Sequence, residues 1–154
     1  MRRTPLCFGA ALLLSIHLLM AAGAVAAECT VSPSGVNFGS FSPLNLDMVD
    51  STGSITVNCT DVGSYSISLS PGSGTFIQRS MVSGGHTLFY NLYLDAAYQQ
   101  IWGDGNSGSS VVTLSNPING QDNVHTVYGR IPLSVQRAAH VGSYSDIITV
   151  TVSY

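Results

Sequence analysis

Asp146-Ile-Ile-Thr-Val-Thr-Val-Ser-Tyr154 alternates apolar and polar side chains to the last residue of the chain. Ile148, Val150, Val152 and Tyr154 fall on one face and Thr149, Thr151 and Ser153 on the other, the period-two pattern of a half-buried strand. A long flat edge of this kind is normally blunted by charge, proline or a covering element. None follows Asp146. The stretch predicts a sheet with one edge open for another chain to fill; the competing reading is a terminal strand paired on both sides inside a complete sandwich.

Upstream, residues 36–38, 54–59, 65–70, 88–94, 111–114 and 124–131 carry the same period and are rich in β-branched and aromatic residues. Ile55, Val57 and Cys59 share a face, as do Tyr65, Ile67 and Leu69. Ser70-Pro-Gly-Ser-Gly74, Ser83-Gly-Gly85 and Gly103-Asp-Gly-Asn-Ser-Gly108 supply the residues that chain reversals need. Residues 42–53, polar and spaced by Asp47, Asp50 and Ser51, read as a surface loop. No stretch has a helical period. About seven short strands in one domain of this length predict an all-β sandwich.

The start of the chain reads differently. Arg2 and Arg3 precede an apolar run, and Ala24-Val-Ala26 and Val25-Ala-Ala27 both offer small-residue cleavage sites. Residues 1–27 are therefore expected to be a secretory signal peptide, leaving a single domain over residues 28–154 with no membrane span. Without the leader, three arginines (Arg79, Arg130, Arg137) less eight acidic residues leave a formal net charge of −5. Nucleic-acid binding, which needs clustered Lys and Arg, is excluded on that balance. The sequence contains no lysine, which also excludes lysine Schiff-base chemistry and a Lys-Asn isopeptide staple. Cys7 lies in the leader, so Cys29 and Cys59 remain, and in an exported protein they are expected to pair.

Nothing announces catalysis. His86, His125 and His140 show no metal-ligand spacing, no Gly-x-Ser-x-Gly is present, and no cofactor or metal is implied. Asp104-Gly-Asn106 has alternate oxygen ligands but lacks the rest of a calcium loop. Asn58-Cys-Thr60 is formally a glycosylation sequon within a strand. Trp102, Tyr90, Tyr93 and Tyr98 could form a sugar platform, but they read first as core or rim of the sandwich.

Three stretches together carry a resemblance: Cys29-Thr-Val-Ser with Val36-Asn-Phe-Gly39; Tyr90-Asn-Leu-Tyr-Leu-Asp95 with Trp102-Gly-Asp104; and Thr126-Val-Tyr-Gly-Arg-Ile-Pro132 with Gly142-Ser-Tyr-Ser-Asp146. In this order they resemble the spore coat protein U domain family, which includes subunits of archaic chaperone-usher pili. The resemblance implies an incomplete immunoglobulin-like sandwich, lacking its last strand. It implies a non-enzymatic adhesion or structural subunit, exported through the periplasm to the cell surface and assembled into a pilus for attachment and biofilm. Its partners would be a periplasmic chaperone, an outer-membrane usher and neighbouring subunits, one of which donates the missing strand. Ile148, Val150, Val152 and Tyr154 would then line one wall of the acceptor groove, with Val36 and Phe38 of a first strand opposite. Arg130 and Pro132 would shape a strand and turn.

A polymerising subunit of this family carries a donor segment ahead of its first cysteine, whereas cleavage here would leave only Glu28, or Ala27 and Glu28. The expectation is an acceptor without a donor: a terminal or minor subunit, or a secreted coat protein. Outside the family, a carbohydrate-binding module using Trp102 and the tyrosines is the alternative.

Overall fold

The computed structural model describes residues 26–44, 48–136 and 139–154. The expected leader, apart from Ala26 and Ala27, and Arg137 lie outside the described residues. Eight strands and one short helix follow in the order β1 (Glu28–Ser34), β2 (Val49–Thr60), β3 (Ser64–Leu69), β4 (Arg79–Ser83), β5 (His86–Tyr93), β6 (Val112–Ser115), β7 (Asp122–Ile131), α1 (Leu133–Gln136) and β8 (Val150–Ser153). They form a five-stranded sheet, β1-β2-β7-β5-β4, and a three-stranded sheet, β6-β3-β8, with antiparallel pairing in both.

The period-two residues decide which side of each sheet faces inward. Ile55 and Val57 of β2, Tyr65, Ile67 and Leu69 of β3, Leu88, Tyr90 and Leu92 of β5, and Val127 and Ile131 of β7 are all buried and form one core with Trp102. Each such aliphatic side chain contributes roughly 1.5–3 kcal/mol relative to exposure. The other face of the three-stranded sheet is set by Ser64, Ser66, Ser68, Thr113, Ser115, Thr151 and Ser153, as alternation requires. Cys29 and Cys59 sit opposite one another in the β1–β2 register and are disulfide-bonded.

Three local expectations are corrected. Residues 36–38 are not a strand; the first strand is β1, whose ladder to β2 ends at Ser34 opposite Ser54. There the chain leaves the sheet, and Asn37 Oδ1 accepts the amide of Gly39, which turns at φ +65°. The expected loop 42–53 is shorter, because Val49, Asp50, Ser51, Thr52 and Gly53 already pair with β7. The expected strand 146–154 is regular only over Val150–Ser153. Ser70 N still donates to Thr149 O, but the Ser70 hydroxyl, not a carbonyl, receives the Thr149 amide, and upstream the Asp146 carboxylate receives the Ile147 amide. β4 falls in a stretch for which the sequence showed no strand period.

Candidate functional site

β8 pairs with β3 alone and β1 with β2 alone among the described residues, so each leaves one edge of its sheet free. The two strands approach one another on the same side of the sandwich. Between them a groove of about 1030 Å³ reaches the core. Its floor includes Leu69, Leu88, Leu92, Val127 and Ile131, all of them buried core residues.

One wall is the segment that follows β1. Val36 and Phe38 lie over the inner face of the five-stranded sheet, where two glycines make room. A Cβ on Gly129 would stand 2.6 Å from Val36 Cγ1 and 2.9 Å from Phe38 Cζ, and one on Gly53 would stand 2.6 Å from Ser34 O. The Ser51 hydroxyl donates to Asn37 O at 2.6 Å, and the Phe38 ring meets Tyr90 edge-on at 5.9 Å. This strap packs through side chains and joins no ladder.

The opposite wall comprises residues 139–148 and Val150. Ser145 exchanges backbone hydrogen bonds with Val82 of β4 at 2.9 and 3.2 Å, the Tyr144 hydroxyl donates to His140 O, and the His140 ring stacks on His86 at 3.8 Å. Asp146 anchors the strand end. Its Oδ1 accepts the Ser73 amide and hydroxyl and the Ile147 amide, and its Oδ2 accepts the Tyr90 hydroxyl at 2.8 Å. Burial, with the Asp146 hydrogen bond second, pushes the Tyr90 hydroxyl far above the usual tyrosine range, so it remains a donor.

Of the residues expected at the groove, Val36, Phe38, Ile148 and Val150 line this cavity. Val152 packs against the core without lining it, and Tyr154 is 60% exposed. The floor on β5 and β7 and the histidine-bearing wall were not anticipated. The floor follows from strand period once the pairing is known, whereas His140 carries no sequence signal.

The other singled-out residues have structural partners. Trp102 is 0% exposed and donates Nε1–H to Ile67 O, so its ring offers no sugar platform. Arg79 is equally buried and donates to Ser70 O, Asn91 Oδ1 and Trp102 O, with desolvation lowering its pKa. Asp104 accepts from Asn106 and Ser109 and closes its own loop. Asn58 donates to Asp122 and Gly120 O. His125 is hydrogen-bonded to Tyr65 at 2.7 Å, and partial burial lowers its pKa. Arg130 donates from Nε and Nη2, along one guanidinium edge, to the two carboxylate oxygens of Asp50 at 2.7 Å and lies over Tyr98, while Pro132 O accepts from Val135 in the short helix. Among the described residues no three His, Cys, Asp or Glu groups are placed to hold a metal, and no helix is long and apolar enough to cross a membrane.

The sequence matches the Spore Coat Protein U domain profile over residues 16–151. The chain belongs to the Spore Coat Protein U domain family. No curated protein matches it. Among solved structures, this Spore Coat Protein U domain is similar to a chain in the crystal structure of the CsuC-CsuE chaperone-tip adhesion subunit pre-assembly complex, from archaic chaperone-usher Csu pili of Acinetobacter baumannii. The TM-score is 0.60 at 24% identity, covering 84% of this chain and 40% of that one. At that identity the likeness is one of fold: the Spore Coat Protein U domain here is an all-β sandwich.

Proposed function

We propose that this domain is an exported, non-enzymatic subunit of a chaperone-usher surface fibre, and that its groove accepts an extended strand from another chain. The observation that carries the reading is the groove itself: an apolar floor reached from solvent beside a β8 edge that has no partner among the described residues. An inserted strand would find backbone donors and acceptors along β8 and pockets for alternate apolar side chains, the requirements of strand addition. A periplasmic chaperone would fill the groove first, an outer-membrane usher would direct the exchange, and a neighbouring subunit would replace the chaperone. The family match and the fold shared with a chain of a chaperone-tip adhesion subunit complex support the chaperone and the neighbouring subunits as partners. Attachment and biofilm formation are the corresponding roles at the cell surface.

Co-expression with a periplasmic chaperone of the chaperone-usher type is expected to raise the soluble yield severalfold and to give a stable one-to-one complex. Equal yield and no complex would overturn the reading. The expected position at a fibre end belongs to the same proposal: mass spectrometry should place the mature N-terminus at Ala27 or Glu28, and ten or more residues ahead of Cys29 would overturn it. The family description also favours a second reading, a secreted spore or cell coat component.

A further inference from the structure

We propose that residues 139–145, one wall of the groove, are held closed by the His86–His140 imidazole stack and are released when both rings take up protons. The regulatory meaning, a groove that opens in acid, rests on the strand-binding reading above; the latch itself does not.

The ring centroids are 3.8 Å apart and the planes 16° from parallel. His86 opens β5 immediately after the Gly84-Gly85 turn, and His140 lines the groove. Both residues are exposed, so protons reach them without a conformational change. The stack therefore ties the groove wall to the β4–β5 hairpin. Other ties between these two parts are local: the backbone exchange between Val82 and Ser145, with Gly142 fitting against Ser83 where a larger residue would collide, and, one residue on, the Tyr90 hydroxyl donating to Asp146.

Neutral imidazoles can lie face to face, but two imidazolium ions cannot do so without repulsion. Histidine is the side chain that gains charge between about pH 8 and 5. Two unit charges about 4 Å apart repel by an amount worth roughly a fivefold shift in equilibrium even in bulk water. Among the described residues the surroundings supply no counter-charge. Along the hairpin the other ionisable groups are Arg79, turned to Ser70 O, Asn91 and Trp102 O, Tyr90, which donates to Asp146, and Tyr93, at the far end of β5 against Tyr98. The short helix packed near β5 carries neither acid nor base in its turns. On the wall, the Tyr144 hydroxyl is used by His140 O, and Asp146 is engaged by Tyr90, Ser73 and Ile147. Among the described residues no carboxylate bonds to either ring. A shared metal ion fits this geometry poorly, because near-parallel rings aim their lone pairs along parallel lines and not at one point.

Hydrogen exchange at the Val82 and Ser145 amides reads the latch directly. After correction for intrinsic rates, protection in the intact protein is expected to fall about fivefold between pH 7.5 and 5.0, and in His86→Gln and His140→Gln the change should vanish. These variants keep His125, so a general acid effect would persist in them. Unchanged protection in the wild type, or an undiminished change in both variants, would overturn the latch. A synthetic ten-residue peptide with alternating valines separates the two proposals: faster association at pH 5.0 than at 7.5, abolished by His86→Gln, is expected. An acid-labile wall with no peptide binding at either pH would uphold the latch and overturn strand binding.

Discussion

Gly129 shows how much a single missing side chain contributes. It lies on the inner face of β7 opposite Ser51, and the space its Cβ would occupy holds Val36 and Phe38. Gly129→Val would force that strap off the sheet. It is expected to destabilise the fold by about 1–3 kcal/mol, the usual cost of overpacking, read as a lower urea midpoint with unchanged slope. Gly63, with nothing within 4 Å of a Cβ, is the control that should tolerate alanine. This relation was invisible in the sequence, since glycine has no apolar signal and its partners are remote along the chain. Trp102 was legible as core because a large aromatic beside alternating strands is most simply buried. The Arg79 network was not legible: three oxygens from three parts of the chain satisfy it, and the sequence places none of them nearby.

At the scale of elements, strands announced themselves where the buried face is apolar. β2 and β3 bury Ile55, Val57 and Cys59 against Tyr65, Ile67 and Leu69, so their period was plain. β1 exposes every residue but Cys29, which is half-buried, and β4 buries Arg79 and Ser80 beside Met81, so neither shows the pattern. The strap at Val36 and Phe38 misled in the opposite sense: its side chains alternate, but its backbone has left the sheet. What fastens the poorly marked β1 is the bond between Cys29 and Cys59, which are register partners. Replacing both cysteines with serine is expected to cost about 2–5 kcal/mol in equilibrium denaturation, within the range seen on removing native disulfides from small secreted domains. β1 amides should lose hydrogen-exchange protection before those of β7.

Taken as a whole, the described residues set five strands against three, and this inequality leaves the core reachable. Strands within a sheet lie about 4.8 Å apart, so the wider sheet overhangs by roughly 10 Å. A covalent test follows from that geometry. A flexible linker after Tyr154 followed by a ten-residue strand with alternating valines should raise the thermal midpoint, by about 4 °C for each kcal/mol gained. The same fusion with aspartate at the inward positions should leave it unchanged. Calorimetry of the two fusions decides the matter, and equal midpoints would count against an incomplete sandwich. The strand at residues 150–153 was legible because period two needs no knowledge of topology; the groove's second wall was not, because it depends on which turns bring His140 to His86. The disulfide has a mechanical side as well. Tension applied at Glu28 passes at the next residue through a covalent link into β2, which is paired on both sides in its sheet. The loop closed by the cysteines, which are 30 positions apart, cannot be drawn out under load, which withholds about 100 Å of chain from extension.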